Sequence, residues 1–156
     1  MKCLLMQTMV VHGGAWNIPA AERGACRPAL KDALEAGRSI LSRKGSALDA
    51  VQAAVVSMED SGAFDAGRGG VLNSEQRVEL DAAIMSGDLS LGAVAAVSTV
   101  WNPIKLARQV MEKTPHALLV GIGAEDFALE LGMKPVAAGE LSSARERRRF
   151  QQGLES

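Results

Sequence analysis

The sequence contains no tyrosine, and aromatic residues make up only 3% of its 156 residues. Proteins that hold nucleic-acid bases by stacking rely on such side chains, so no stacking platform is expected. The sequence also lacks an excess of either charge, since 17 basic residues oppose 18 acidic ones for a formal net charge of -1. No overall field favours nucleic acid or an anionic membrane, and we expect neither as a partner.

Cysteine and histidine are equally scarce, with two residues of each. Cys3 and Cys26 are too few for the disulfide framework of a small secreted protein or for a zinc cluster. We expect two free thiols in a reducing compartment, and nothing around Cys26 except nearby arginines indicates a nucleophile. His12 and His116 are interpreted as hydrogen-bonded structural residues rather than metal ligands.

Long apolar runs are absent as well. The longest weakly polar stretch, Leu91 to Trp101, falls short of the roughly 20 residues that cross a bilayer. Gln7 and Thr8 interrupt the start of the chain before any small-residue cleavage site, so no signal peptide is predicted. The sequence therefore predicts a cytoplasmic protein.

Hydrophobic periodicity predicts a chain of mixed helices and strands, which is an α+β fold. Ser46 followed by Asp49 resembles a capping box and predicts the start of a helix. The neighbouring strands at 77–84 and 92–100 are expected to pair antiparallel. The charged tail from residue 142 is interpreted as a solvated helix or linker. The predicted helices cover 28–41, 47–58, 103–111 and 124–131, and the predicted strands cover 6–11, 77–84, 92–100 and 117–120.

Two glycine-containing segments could carry chemistry. The loop from Ser61 to Gly70 includes Gly62, Gly67, Gly69 and Gly70, and such a backbone can turn its carbonyl oxygens towards a hard cation. An ordered surface loop is the alternative. Gly121-Ile122-Gly123 follows a strand and opens a helix, but the third glycine of a dinucleotide fingerprint is missing. A tight strand-to-helix turn is the alternative there.

Six strings, in order along residues 10–136, resemble the plant-type asparaginase and isoaspartyl peptidase family of N-terminal nucleophile hydrolases. These strings are Val10–Ala15, Gly45–Val51, Phe64–Gly69, Glu79–Ala82, Asn102–His116 and Gly123–Ala128. The resemblance implies a precursor that cuts itself into an α chain and a β chain. It also implies that the two chains fold as one αββα four-layer sandwich, and that two such pairs form an (αβ)2 assembly.

The resemblance further implies the chemistry. The β chain begins with a threonine whose hydroxyl attacks β-aspartyl dipeptides or L-asparagine, with its own α-amino group as the base. The threonines here are Thr8, Thr99 and Thr114, and none heads the string that begins a family β chain. The sequence therefore resembles the α subunit alone, and no catalytic nucleophile is expected in this chain.

Site residues are carried over from the same resemblance. Asp65 stands where the family usually has an asparagine near the active-site threonine, which makes it a supporting residue. No organic cofactor is expected, whereas a structural sodium ion is implied. Its ligands would be the main-chain carbonyls of Met58, Glu59, Ser61, Phe64, Ala66 and Arg68.

Residues 1–141 are expected to form the α-subunit part of a single domain, and 142–156 a charged tail that leads into the processing linker. One alternative is a truncated, catalytically inactive homologue that acts as a binding or structural protein. Another is a nucleotide-binding module, which would rest on the turn at Gly121. A partner β subunit and a small β-aspartyl substrate are expected only if the chain is the α subunit of such a hydrolase.

Overall fold

The structure, a computed structural model, describes residues 7–15, 18–20, 22–137 and 139–154. This part of the chain contains both helices and strands, with β1 and β2 adjacent in sequence, which confirms the predicted α+β class. The helices are α1 Arg23–Ser42, α2 Ala47–Ser61, α3 Pro103–Lys113, α4 Gly121–Glu130 and α5 Ala144–Leu154. The strands are β1 Leu80–Met85, β2 Leu91–Val97 and β3 Leu118–Val120, and a short 3-10 turn covers Gly67–Gly69.

Capping residues set the bounds of α2 and mark the start of α3. The Ser46 hydroxyl accepts a hydrogen bond from the Asp49 amide at 3.1 Å, as the capping signal predicts. Gly62 ends α2 in the left-handed region at φ 66°. Pro103 occupies the first turn of α3. None of the described helices combines the length and apolarity that a bilayer crossing requires.

The three strands form one sheet in the order β1-β2-β3. β1 and β2 pair antiparallel, which confirms the prediction, whereas β2 and β3 are parallel. The β1–β2 register shifts between Leu80 and Ala82. At this bulge Ala96 has φ 52°, and its amide donates to the Asp81 carboxylate at 2.8 Å. The side chain thereby satisfies a backbone group that the irregular ladder leaves free.

One face of the sheet is covered by helices. Ile84, Val94 and Val97 pack with Leu106 and Val110 of α3 in the main core, and α4 contacts β2 beside them. A Cβ on Gly92 would lie 2.2 Å from the Ala107 carbonyl oxygen. The backbone of α3 therefore sits directly on β2, and only glycine permits that separation. Helices α1 and α2 pack on each other, and α2 also contacts α3.

The opposite face of the sheet is apolar and open. The pairs Met85–Leu91, Ala93–Leu118 and Ala95–Val120 lie across from each other on it. Its large side chains remain exposed, at 58% for Met85, 44% for Leu91, 50% for Leu118 and 54% for Val120. A contiguous apolar strip of this kind is typical of a surface that another layer covers.

The predicted strand at 6–11 is wrong for residues 7–11, which belong to no strand, and Met6 lies outside the described residues. Val10 is 83% exposed. An extended segment needs a neighbouring strand to pair its amides and carbonyls, and the described sheet places β1 and β3 at its edges without this segment. The apolar residues of this segment could not show whether another strand would lie beside it and form hydrogen bonds with it.

Candidate functional site

A cleft of about 490 Å³ opens between the N-terminal segment, the glycine loop and α5. Two strings that are far apart in the sequence meet here, one around His12 and the other around Asp65. The third wall comes from two arginines of α5. The cleft is lined by His12, Gly13, Gly14, Ala15, Met58, Phe64, Asp65, Ala66, Val71, Arg145 and Arg149.

The N-terminal wall is fixed against the loop by close packing. A Cβ on Gly13 would lie 2.6 Å from Cε1 of the Phe64 ring, so the backbone lies directly on that aromatic side chain. The Gly14 amide donates to Nδ1 of His12 at 3.3 Å, and Gly14 has φ 102°. The prediction of a hydrogen-bonded histidine is confirmed for His12, which lies at the cleft rather than in the core.

The glycine loop closes on itself around Asp65. The Val71 amide donates to Oδ1 of Asp65 at 2.9 Å, so the carboxylate bridges the loop while its residue remains exposed in the cleft. A Cβ on Gly69 would lie 1.9 Å from the Phe64 carbonyl oxygen. The two sides of the loop approach so closely that no other residue fits at Gly69. The position of Asp65 is therefore set by the folded loop.

The six carbonyls predicted to bind sodium lie on one continuous segment. Three of them belong to the last turn of α2, where helix carbonyls lack intrahelical partners and carry partial negative charge. The Met58 carbonyl accepts from the Ser61 hydroxyl at 2.7 Å, and the Ala66 carbonyl accepts from the Gly69 amide at 3.0 Å. Each carbonyl oxygen has a second lone pair, and oxygen donors are the kind that a hard cation prefers.

The side chain of Glu59 makes a contact that the sequence did not predict. Its side chain is 2% exposed, and Oε1 accepts from the Ile104 amide at the start of α3 at 3.1 Å. Its Oε2 atom is buried with no hydrogen-bond partner among the described residues. Burial raises the pKa of this carboxyl to about 7. Glu59 thus ties the end of α2 to the start of α3 in an unfavourable environment for charge.

The neighbouring side chains add to the same connection. The Asp60 carboxylate accepts from Nε1 of Trp101 and from Nδ2 of Asn102, each at 2.9 Å. The Arg68 guanidinium lies 5.5 Å from the centre of the Trp101 ring, within the range of a cation–π contact. Both ends of the glycine loop are therefore fastened to the segment that precedes α3.

Arg145 of α5 is a functional candidate that the sequence did not reveal. Its guanidinium donates to the Ala63 carbonyl at 3.0 Å and to the Gly69 carbonyl at 3.4 Å. Glu146, only 3% exposed, accepts from Arg145 at 2.8 Å and from Arg149 at 2.9 Å. The interpretation of this tail as a solvated helix is therefore wrong for the face that carries these residues. The one sequence signal for this buried ion-paired face was Glu146, a single acidic residue among four arginines.

The other residues considered in the sequence, which are Cys26, His116 and Gly121, have contacts or backbone angles that indicate structural roles. Cys26 is buried, and its thiol donates to the Ala63 carbonyl at 3.7 Å, whereas Cys3 lies outside the described residues. His116 forms its described hydrogen bonds through its backbone, with the Thr114 hydroxyl. Gly121 has φ 55° between β3 and α4, which supports the tight turn rather than a dinucleotide site. No cluster of histidine, cysteine and carboxylate ligands occurs among the described residues.

Comparisons with known proteins agree with the family resemblance of the sequence. A family described as "Asparaginase" matches residues 5–156. The isoaspartyl peptidase/L-asparaginase of Rattus norvegicus is 46% identical over 145 residues, which are 92% of this chain and 44% of that protein. The Homo sapiens protein of the same name is 46% identical, with 92% and 47% covered. The plant-type L-asparaginase of Thermococcus kodakarensis is 50% identical over 131 residues, with 83% and 42% covered. The chain thus spans less than half the length of these relatives.

Proposed function

The chain belongs to the asparaginase family, and on that premise we propose that it is the α subunit of an isoaspartyl peptidase/L-asparaginase. Its substrates would be β-aspartyl dipeptides and L-asparagine, and its location the cytoplasm. The observation that carries the proposal is the cleft, where the string around His12 meets the string around Asp65. The three relatives reported above are 46% to 50% identical to this chain over the aligned residues.

A β subunit from the same precursor would supply the second sheet of an αββα sandwich. The open apolar face of the described sheet supports this, because Met85, Leu91, Leu118 and Val120 are 44% to 58% exposed there. Packing a second sheet about 10 Å away would remove that surface from water. We propose that two such pairs associate as (αβ)2, and that residues 142–156 lead into the processing linker.

The proposed reaction is acyl transfer from an amide to water. The hydroxyl of the first β-subunit threonine attacks the β-aspartyl carbonyl and passes its proton to the threonine's own α-amine. The tetrahedral oxyanion collapses, the leaving amine takes up that proton, and an aspartyl ester remains. Water then hydrolyses the ester to aspartate and restores the hydroxyl. This chain would contribute the wall that carries Asp65 and the backbone around His12.

A structural sodium ion would be held by the main-chain carbonyls from Met58 to Arg68. The fit rests on the oxygen-only set at the end of α2 and in the loop, where the Met58 and Ala66 carbonyls each keep a free lone pair. Such a cation would stabilise the loop that presents Asp65, and it would take no part in bond making.

The first test joins the chain to its β segment. The full-length precursor is expected to yield two chains, the second beginning with threonine, and to release aspartate from a β-aspartyl dipeptide and from L-asparagine. This chain purified alone is expected to release none. Mass spectrometry and an aspartate assay measure both results. A full-length protein that stays uncut and releases no aspartate would instead favour the inactive binding or structural homologue.

The same preparations test the proposed cation. Melting temperatures are compared in sodium chloride and in choline chloride of equal ionic strength, so that general screening is the same in both. Because a ligand that binds only the folded state raises stability, sodium is expected to raise the melting temperature. Equal values in the two salts would contradict the proposal of a bound sodium ion.

Asp65→Asn is expected to raise turnover of the complete enzyme towards a β-aspartyl dipeptide, on the order of tenfold. An asparagine Oδ1 can still accept from the Val71 amide, so the loop keeps its shape while the cleft loses a negative charge and gains amide donors. Steady-state kinetics measure the change. Asp32→Asn, on the exposed surface of α1, is the matched control, and an unchanged or lower rate for Asp65→Asn would contradict the expectation.

A further inference from the structure

The glycine loop has its two ends joined by one side chain from a distant part of the sequence. Nη1 of Arg145 donates to the Ala63 carbonyl at 3.0 Å, and Nη2 donates to the Gly69 carbonyl at 3.4 Å. These two carbonyls flank the segment 64–68, which contains Asp65. A guanidinium presents its donors as a rigid fork, so one planar group can bridge two acceptors at a fixed separation.

Acceptors surround Arg145 on its other sides. Nε donates to the Glu146 carboxylate at 2.8 Å, and Oε2 of Glu22, at the start of α1, lies 3.9 Å from Nε. That Glu22 oxygen is buried with no hydrogen-bond partner among the described residues. The Arg145 side chain is only 18% exposed. Two carbonyls and two carboxylates thus form a partly buried pocket in which a cation is the fitting occupant.

The base of α5 is fixed so that Arg145 reaches the loop. The Glu146 amide donates to the Ser143 hydroxyl at 3.1 Å, in the first turn of the helix, and Leu141 just before it is buried in the main core. Further along, a cavity of about 540 Å³ separates Phe150 from Val71 and Leu72. The start of α5 is therefore held in place by Arg145 and its neighbours.

We propose that Arg145 is a positioning residue that clamps the two ends of the glycine loop and so holds Asp65 in the cleft. The clamp acts through the backbone, because the Val71 amide that fixes the Asp65 carboxylate follows Gly69 closely in the chain. Without the clamp, the Gly69 and Ala63 carbonyls lose a charged donor and the segment 64–68 gains freedom. The effect on catalysis rests on the proposed function, whereas the effect on the loop does not.

Three variants of the full-length protein test the clamp by hydrogen exchange of peptides that cover 63–71. Arg145→Gln removes the fork, and exchange of the Val71 amide is expected to rise about tenfold. Arg145→Lys keeps the charge but offers a single donor group, so an intermediate rise is expected. Arg148→Gln, on the exposed side of the same helix, is the matched control and should exchange like the parent protein.

Kinetics with L-asparagine give the second readout. Because Asp65 is proposed to lie near the active-site threonine, Arg145→Gln is expected to lower kcat about tenfold with KM little changed. The clamp is overturned if Arg145→Gln exchanges like Arg148→Gln, or if Arg145→Lys restores parental exchange in full. Should Arg145→Gln fail to fold, the Lys variant decides. If no variant releases aspartate, the proposed function fails while the exchange result still decides on the clamp.

Discussion

Between about pH 4.5 and pH 7, the protein is expected to lose about 3 kcal/mol of its free energy of unfolding relative to a Glu59→Gln variant. Burial raises the pKa of Glu59 from 4.5 to about 7 in the folded state, while the unfolded chain keeps the ordinary value. Each unit of that difference corresponds to about 1.36 kcal/mol. Glu59 thus makes the folded protein most stable relative to the variant in acid.

The sign follows from proton binding. In this interval the folded protein holds the Glu59 proton and the unfolded chain has released it, so rising pH favours unfolding. The contribution is complete below the unfolded pKa, declines through the interval and is gone above the folded pKa. A charged Glu59 would leave Oε2 buried without a partner, whereas the protonated carboxyl carries no charge into that site.

Urea unfolding of both proteins at several pH values, in choline chloride so that no sodium ion occupies the proposed site beside Glu59, measures the effect. Glutamine keeps the oxygen that accepts from the Ile104 amide but has no proton to release, so its own cost is the same at every pH. Only the change with pH in the difference between the two proteins is therefore attributed to Glu59. A constant difference from pH 4 to pH 8, or one that grows in favour of the parent protein, would contradict the expectation.

Gly92→Ala is expected to destabilise the protein by about 3 kcal/mol, and to lower its melting temperature by roughly 6–12 °C. The new Cβ would lie 2.2 Å from the Ala107 carbonyl oxygen and 2.5 Å from the Met111 backbone nitrogen. These are backbone atoms, which no rotamer change can move away. Helix α3 would have to shift off β2, and the contacts of Leu106 and Val110 in the core would loosen with it.

Gly87→Ala is the matched control for this substitution. Its Cβ would meet no atom within 4 Å, so the variant shares the general effect of replacing glycine by alanine but not the collision with α3. Thermal unfolding of the two variants, followed by circular dichroism, measures the difference. Similar melting temperatures for Gly92→Ala and Gly87→Ala would mean that α3 does not rest on β2 at this separation.

Short-range sequence signals correctly predicted the elements that depend on residues close together in the chain. The hydroxyl of Ser46 caps α2 because the acceptor and the amide that it binds are three residues apart. The antiparallel pairing of β1 and β2 was predictable for a related reason, since a short turn leaves neighbouring strands little other choice. The strand expected at 6–11 failed because its pairing would depend on a partner that the pattern does not encode.

The sequence by itself determined the family, the α+β class and the presence of the glycine loop, since ordered motifs and glycine spacing are properties of the chain. The tertiary structure decided which of these parts meet. It brought His12 and Asp65 to one cleft, buried Glu59 beneath the start of α3, and placed Arg145 across the loop. Such contacts join residues that are distant along the chain, as Ala63 and Arg145 are. Their geometry follows from packing, which no local spacing in the sequence expresses.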